Sequence, residues 1–504
     1  MGSPGPPKLT PPAALAALAA AVILLHTLTN GQYGFHRDEL ATLDDARHLA
    51  WGYVAYPPVT PFIARIALEL FGPSLIGLRL FAAVAQGAAL VLGGLMAREL
   101  GGGRAAQIAA ASAMAVAPLS LAAGHLFQYV SFDYLWWVLA TWLMIRLLKT
   151  EDPRWWLGLG AVIGLGMMTK YTMAFLVAGI AGGVLLTPAR RHLRSPYLWA
   201  GAALSLLIFL PNLIWQAQHD FISLDFLSYI HARDIRIGRT AHFLLEQFVL
   251  ATNVFTVPLW LAGLIYFFVA PAGKRRRLIG WMFVIPFALF FAAKGRGYYT
   301  APAYPMLLAG GAVLGENWTA SLAAGRARLA RGAVWLSLAA GGLMSAAIMV
   351  PLAPVNSPLW NAANKVHDVF REEVGWPELA ETVAGIRASL PAGEREQAGI
   401  LAGNYGEAGA INLYGPAHGL PTAISGTNSY WLRGYGDPPP QTLIVLGFSQ
   451  SFIERNFESC ELAGHITNRY GVKNEETTDH PDIFVCRRLR KPWPEFWKQL
   501  KHFG

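Results

Sequence analysis

Four ionisable residues, His36, Arg37, Asp38 and Glu39, stand side by side in the stretch YGFHRDELATLDDARHLAWGYVAYPPVTPF, residues 33–62. Asp44, Asp45, Arg47 and His48 follow closely, and an apolar run precedes them. A carboxylate at the end of an apolar run can take a proton from a hydroxyl at the water–lipid boundary. Asp38 and Glu39 are therefore well placed to meet a substrate whose tail lies in a bilayer and whose head lies in water. Asp133, in QYVSFDYLWW, is a further carboxylate at the mouth of an apolar run, with His125 and Gln128 just before it. Intramembrane carboxylates are expensive and usually functional; a helix-capping or snorkelling role is the plain alternative.

A second set of residues suits an anion. Lys170 sits between two apolar runs, and Lys294, Arg296, Tyr298 and Tyr299 follow another. Contact with lipid headgroups is the other reading of these cations. Tyr430 and Trp431, in SGTNSYWLRGYG, could stack on a sugar or simply complete a loop.

The elements that must hold these residues are mostly membrane helices. Of the 504 residues 54% are hydrophobic and 14% charged, well below the roughly 25% charged residues of soluble domains. About eleven apolar runs have the length of membrane spans: 11–29, 72–97, 105–123, 129–148, 155–169, 172–187, 197–215, 248–270, 278–293, 299–314 and 332–352. The sequence thus predicts a polytopic α-helical membrane protein. The pair 155–169 and 172–187 is separated only by KYT, and counting it as one span would invert everything after it. Basic clusters decide this, because Lys and Arg collect in cytoplasmic loops. PARRHLR (188–194) and GKRRR (273–277) fall on one side, with Arg98, Arg104, Arg146 and Lys149, only if the pair counts as two. This puts the N-terminus in the cytoplasm and the C-terminal part outside. The same bias accounts for the net charge of +9 without a nucleic-acid partner.

The loop 30–71 after the first span is the expected catalytic loop. Its segment DELATLDDARHLAWG has Leu40, Leu43, Ala46, Leu49 and Ala50 on one helical face and Asp44, Asp45 and Arg47 on the other. It predicts a helix in the interface plane with a solvated charged face, ended by YPPVTP. The expected domains are 1–352, in the membrane, and 353–504, an outer α/β domain. AGILAGN, PTAISG, QTLIVLGF and DIFVCRR predict strands there, and WPELAETVAGIRASL and SQSFIERNF predict helices. Cys460 and Cys486 could form one bridge in an oxidising compartment.

The order of these features carries a family resemblance. A first span, an Asp–Glu pair, a short helix ending in HLAWGY, a PP turn and LFGPSLIGLRL are followed by GLGMMTKYT (164–172), KGRGYYTAPAYPMLLAGG (294–311) and GNYGEAGAINLYG (403–415). Together they resemble the lipid-linked sugar transferases of the C superfamily. They are most similar to the bacterial branch related to protein mannosyltransferases and the aminoarabinose transferase of lipid A.

The resemblance implies transfer of a sugar, with inversion, from a polyprenyl-phosphate carrier to a lipid, glycan or protein acceptor at the outer face. It implies Asp38 as the catalytic carboxylate, with Glu39 beside it and Asp133 as a second acidic residue. Lys170, Lys294, Arg296, Tyr298 and Tyr299 would meet the donor phosphate. His36, Arg37, Tyr56, His125, Tyr430 and Trp431 would contact substrates. No Walker-type or Rossmann-type fingerprint is present, in keeping with a lipid-linked donor. The aminoarabinose branch carries an acidic and a basic residue before the double proline, used for metal and phosphate; here Ala55 and Tyr56 stand there. No cofactor is certain and a divalent metal stays open, with His36, His48 and His125 as substitute ligands. Two other classes fit the residues less well. A transporter of lipid-linked sugars would show internal symmetry, which is absent, and a receptor with an outer binding domain leaves the HRDE cluster without a role.

Overall fold

The computed structural model describes residues 10–504. The helices run α1 (Pro11–Thr29), α2 (Arg37–Arg47), α3 (Val59–Phe71), α4 (Leu75–Glu99), α5 (Arg104–Ala115), α6 (Pro118–His125) and α7 (Tyr129–Thr150). They continue as α8 (Trp155–Met167), α9 (Met173–Leu186), α10 (Pro196–Gln218), α11 (Ile222–Arg236), α12 (Phe243–Glu246), α13 (Val257–Phe268), α14 (Arg277–Ala292), α15 (Tyr304–Ser321) and α16 (Ala324–Met349). After them come α17 (Pro358–Ala363), α18 (Trp376–Ser389), α19 (Ala392–Gln397) and α20 (Tyr405–Tyr414).

The chain forms two compact units. The first holds the stretch ending at Thr29 with Arg79–Ile214 and Asp234–Val350; the second holds Asn30–Leu78, Trp215–Arg233 and Pro351–Gly504. A division at 352/353 follows the last apolar helix. Compactness draws a different line, because the loop after α1 packs with the C-terminal residues.

In the first unit every expected span falls on helical chain, but several are broken. Pro118 opens α6 and bends it 66° from α5. The capping box of Asn253 interrupts the run 243–268 with an 87° bend. Among the described residues, four helices (α1, α4, α10 and α16) are long and apolar enough to cross a membrane, or up to seven if each bent pair is one span. Helix α8 has only 13 residues, and α7 carries Asp133, Arg146 and Lys149.

The KYT break does separate two helices. Gly160 of α8 faces Gly201 of α10, and Gly164 faces Ile208, so α8 and α10 run parallel. Gly179 of α9 faces Pro286 and Gly183 faces Leu278, so α9 runs antiparallel to α14. Glycine at these crossings lets the backbones approach; a Cβ at Gly160 would come within 2.0 Å of the Gly201 carbonyl. Helix ends expected on one side meet. Glu99 takes Arg146 at 3.1 Å and Lys149 at 2.9 Å, Arg276 Nη1 donates to Leu100 O at 3.1 Å, and Arg191 pairs with Glu151 at 2.8 Å.

The second unit contains a five-stranded sheet in the order β2-β1-β3-β5-β4. Its strands are β1 (Ala398–Ala402), β2 (Ile424–Ser425), β3 (Thr442–Leu446), β4 (Phe457–His465) and β5 (Asp482–Leu489). Strands β1, β2 and β3 are parallel; β5 and β4 are antiparallel to their neighbours. Cys460 and Cys486 lie opposite each other on β4 and β5 and form a disulfide.

β1 has β2 on one side and β3 on the other, which makes it a topological switch point. In parallel sheets, ligand chemistry concentrates at the carboxyl ends of the strands beside such a point. Here that end reads Gly403, Asn404, Tyr405, leading into α20. Asn404 caps α20 through a capping box with Glu407. Helix α2 lies against α20 because Gly406 and Gly409, three residues apart on one face, carry no side chain. A Cβ at Gly409 would stand 2.9 Å from Leu40 backbone, and one at Gly406 2.9 Å from Arg37 Cβ.

Candidate functional site

In the second unit, α2 begins with its own capping box. His36 Nδ1 accepts from the Asp38 N–H at 3.2 Å, and Glu39 Oε2 accepts from the His36 N–H at 2.8 Å. Glu39 is 0% exposed. It is spent on holding the helix start, not on standing open beside Asp38 as a second catalytic carboxylate. His36 is likewise a cap. Asp38 differs: its side chain keeps 37% exposure, and its Oδ1 accepts from the Tyr405 hydroxyl at 2.8 Å. Burial and the Asp38 charge push the Tyr405 phenol well up from its usual range, so it stays a donor.

Arg37 is turned away from solvent into a nest of glutamates. It bonds Glu475, approaches Glu476 at 3.6 Å and Glu372 at 3.7 Å, and lies 5.0 Å over the Tyr405 ring. Burial alone would lower the affinity of its guanidinium for the proton. Tyr405, Glu476 and Glu475 outweigh that and hold it well above its ordinary value. Burial, then Glu476, pushes Glu372 up to about 8. The same two causes push Glu407 up to about 8.

Of the expected solvated face of α2, Arg47 is exposed but the two carboxylates are not. Asp44 and Asp45 are 2% and 3% exposed. Arg433 donates to both carboxylates, Asn412 Nδ2 donates to Asp44 at 3.0 Å, and the Tyr56 hydroxyl donates to Asp45 at 2.5 Å. Two buried carboxylates require a cation, and Arg433 supplies it. Burial still raises Asp45 to about 6, against the pull of Arg433 and Tyr56. Tyr56 is thus an internal donor. Tyr430 is buried under the Arg433 guanidinium at 4.4 Å, and Trp431 is tied to the Trp497 carbonyl at 3.0 Å, so neither presents an open ring to a sugar.

The first unit holds the other group. Lys170, in the turn between α8 and α9, has its ammonium 4.4 Å from the Tyr299 ring, 5.2 Å from Tyr129 and 5.6 Å from Tyr298. Asp133 Oδ2 lies 4.0 Å from it and accepts from Thr172 at 3.0 Å. Arg296 Nε donates to Asp234 at 2.5 Å, and its Nη1 reaches the Tyr298 hydroxyl at 3.3 Å. Two cations and phenolic groups thus converge here, each cation already facing a carboxylate, and groups of this kind suit a phosphate-type anion. Lys294 stands apart, with an exposed side chain and φ of 51°. His125 is buried at the end of α6 beside His26 and Gln86.

Sequence reasoning missed Tyr129 and Arg433. Nothing marks Tyr129 out from other interfacial aromatics; Arg433 could have been sought once Asp44 and Asp45 were taken as buried. Among the described residues no group of three or more His, Cys, Asp or Glu could hold a metal ion. His36 and His48 are bonded to α2 itself, His48 through Nδ1 to the Asp44 carbonyl at 2.9 Å.

The family model for dolichyl-phosphate-mannose-protein mannosyltransferases matches residues 55–215. Over 316 residues the chain is 30% identical to undecaprenyl phosphate-alpha-4-amino-4-deoxy-L-arabinose arabinosyl transferase 1 of Pseudomonas fluorescens, covering 57% of this chain and 54% of that one. It is 27% identical over 235 residues to the lipid A galacturonosyltransferase RgtD of Rhizobium johnstonii, covering 43% and 48%. The chain thus spans about half the length of these curated relatives. In fold it is similar to ArnT from Cupriavidus metallidurans bound to undecaprenyl phosphate. The TM-score is 0.56 at 15% identity, over 93% of this chain and 97% of that one. The likeness to these transferases is therefore one of sequence over part of the chain, and the likeness to ArnT from Cupriavidus metallidurans is one of fold over nearly all of it.

Proposed function

We propose that this chain is an integral-membrane glycosyltransferase that moves a sugar from a polyprenyl-phosphate carrier to an acceptor hydroxyl at the outer face. The observation that carries the reading is Asp38: a partly open carboxylate at the start of a helix, with one oxygen held by Tyr405 at 2.8 Å. Asp38 takes the acceptor proton as the new bond forms between the acceptor oxygen and the anomeric carbon. The bond from that carbon to the phosphate oxygen breaks, and the polyprenyl phosphate leaves as the anion. Attack from the face opposite the leaving group gives inversion.

Lys170, Arg296, Tyr298 and Tyr299 are assigned to the donor phosphate, with Asp133 orienting Lys170. The relatives named for undecaprenyl-phosphate-linked arabinose transfer and for lipid A support this assignment of donor class. Lys294 and Glu39 are not assigned. The N-terminus is placed in the cytoplasm and the second unit outside, on the arginine and lysine bias of the loops. A disulfide between Cys460 and Cys486 suits that side.

The test is transfer of radiolabelled sugar from synthetic polyprenyl-phosphate donors by the purified chain. Loss of a general base costs roughly 10²–10⁴-fold, so Asp38→Asn should fall by that amount. Full activity in Asp38→Asn removes Asp38 as base. No turnover with any donor, together with movement of lipid-linked sugar across liposomes, replaces the transferase by a transporter.

A further inference from the structure

The second unit holds a cavity of ≈ 740 Å³ that the transfer chemistry does not use. It lies between the start of β1, the edge strand β2 and the loop 430–441. Its floor is polar: buried Asp44, Asn412 and Tyr430 with half-buried Arg433. One wall is the proline run 438–440; another is Tyr435, stacked on Trp493 at 4.9 Å and 17°. Thr422 and Gln441 stand exposed among its lining residues.

The floor is built. Asp44 and Arg433 bond each other, and Asn412 bonds Asp44. The Tyr430 phenol, only 4% exposed, sits against Asp44 and completes it.

We propose that this cavity binds a neutral saccharide. An anionic ligand gains little, because Asp44 and Asp45 already neutralise Arg433 and leave the floor net negative. A hydrocarbon tail would strip water from Asp44, Asn412 and Arg433 without replacing it. A sugar offers what the lining lacks: hydroxyls that both donate and accept, and C–H faces to lie on proline and tyrosine. The volume falls in the range of about 300–1,000 Å³ of small-ligand sites, enough for more than one sugar ring.

The floor also belongs to α2. Asp44 is less than two turns from Asp38 on the same helix. A saccharide held there would lie against the helix that carries the proposed base. The cavity is therefore a subsite for a glycan portion of the acceptor; that last step, unlike saccharide binding itself, rests on the transferase reading.

Binding is read by saturation-transfer NMR on the full chain in lipid nanodiscs. The probes are methyl-capped disaccharides of glucose, galactose, N-acetylglucosamine and arabinose. Thr422→Trp and Gln441→Trp, both at exposed positions, should obstruct the cavity while circular dichroism and the thermal midpoint stay unchanged. At least one disaccharide should bind with a Kd below about 10 mM and weaken about tenfold or more in both variants. With a glycan-bearing acceptor, the same variants should raise KM about tenfold and leave kcat within about twofold.

The proposal is overturned if no disaccharide binds or if both variants bind as well as wild type. It is also overturned if a proline-rich peptide, and no saccharide, shows binding that the two variants abolish. Saccharide binding by a chain that turns over no donor keeps the cavity and removes the transferase reading. Turnover without saccharide binding does the reverse.

Discussion

Replacing Tyr405 by Phe tests whether the C-terminal part of the chain positions the proposed base. The substitution removes one hydroxyl and leaves the ring, so the stacking of Arg37 at 5.0 Å is kept. What is lost is a donor at 2.8 Å to Asp38 Oδ1. A hydrogen bond to a charged group contributes about 1.5–3 kcal/mol. Asp38 retains 37% side-chain exposure, so water can replace part of the bond and the low end applies, about 1.5 kcal/mol. That corresponds to roughly a tenfold fall in kcat. The donor KM should not move, because Tyr405 is assigned to the carboxylate and not to the phosphate.

The assay is single-turnover transfer from a synthetic polyprenyl-phosphate sugar, with the thermal midpoint of each variant measured alongside. A kcat within twofold of wild type refutes Tyr405 as the anchor of Asp38. A rise in KM with unchanged kcat refutes it differently, by making Tyr405 a substrate contact. A large drop in the thermal midpoint would make the residue structural.

Two further outcomes follow from the same geometry. Glu407 has a folded value of about 8 against an ordinary 4.5, so between these values the folded chain holds a proton that the unfolded chain has released; stability is full below the lower value and is lost as pH rises through the upper one, by on the order of 4 kcal/mol. Glu407→Gln keeps an oxygen for the Gly403 and Asn404 N–H groups and should reduce the fall in thermal midpoint between pH 5.5 and 8.5; an unchanged slope would refute a protonated Glu407, Glu372 being the other contributor in that window. Lys170→Gln removes the cation framed by Tyr129, Tyr298 and Tyr299 and should lower kcat/KM for the donor about 10–100-fold, a result within twofold of wild type removing Lys170 from the phosphate site.

Much of this fold can be read directly from the residues, because the relevant signals are local. Short continuous apolar runs mark AGILA and TLIVL as the buried strands β1 and β3, and WPELAETVAGIRAS reads as α18. The strand FESCELAGH does not announce itself: it is an edge strand, exposed along most of its length, with no buried face to impose a pattern. The broken spans are hidden for a related reason. Hydropathy averages over Pro118 and Asn253, while the chain bends sharply at each.

At the site, composition identifies HRDE and the Lys170 turn but not their partners. Asp44 and Asp45 look solvated in a helical projection, since their cation lies 388 residues away from Asp45 at Arg433. Tyr405 is equally remote from Asp38, at a separation of 367. Spacing within a segment cannot reveal a bond that only the tertiary fold creates.

The density of charge in the loop after α1 has its cause in that packing. The loop gives one cation, Arg37, to glutamates 372, 475 and 476, and two anions, Asp44 and Asp45, to one cation, Arg433. The two exchanges are of opposite sign and lie at opposite ends of α2, with the Asp38–Tyr405 bond beside the first. A single apolar stripe would hold such a short helix loosely, tolerating rotation by a residue or sliding along α20. Buried charges do not tolerate it: removing one partner of a buried pair costs about 3–5 kcal/mol. A slip of α2 would break both clusters at once. The register of α2, and with it the position of Asp38, is therefore set by electrostatic pairing at both ends of the helix and by the glycine face of α20 between them. On this argument the buried ionisable residues around Asp38 are there chiefly to fix where one carboxylate stands, and of the four carboxylates Asp38, Glu39, Asp44 and Asp45 it is Asp38 that is left open to meet a substrate.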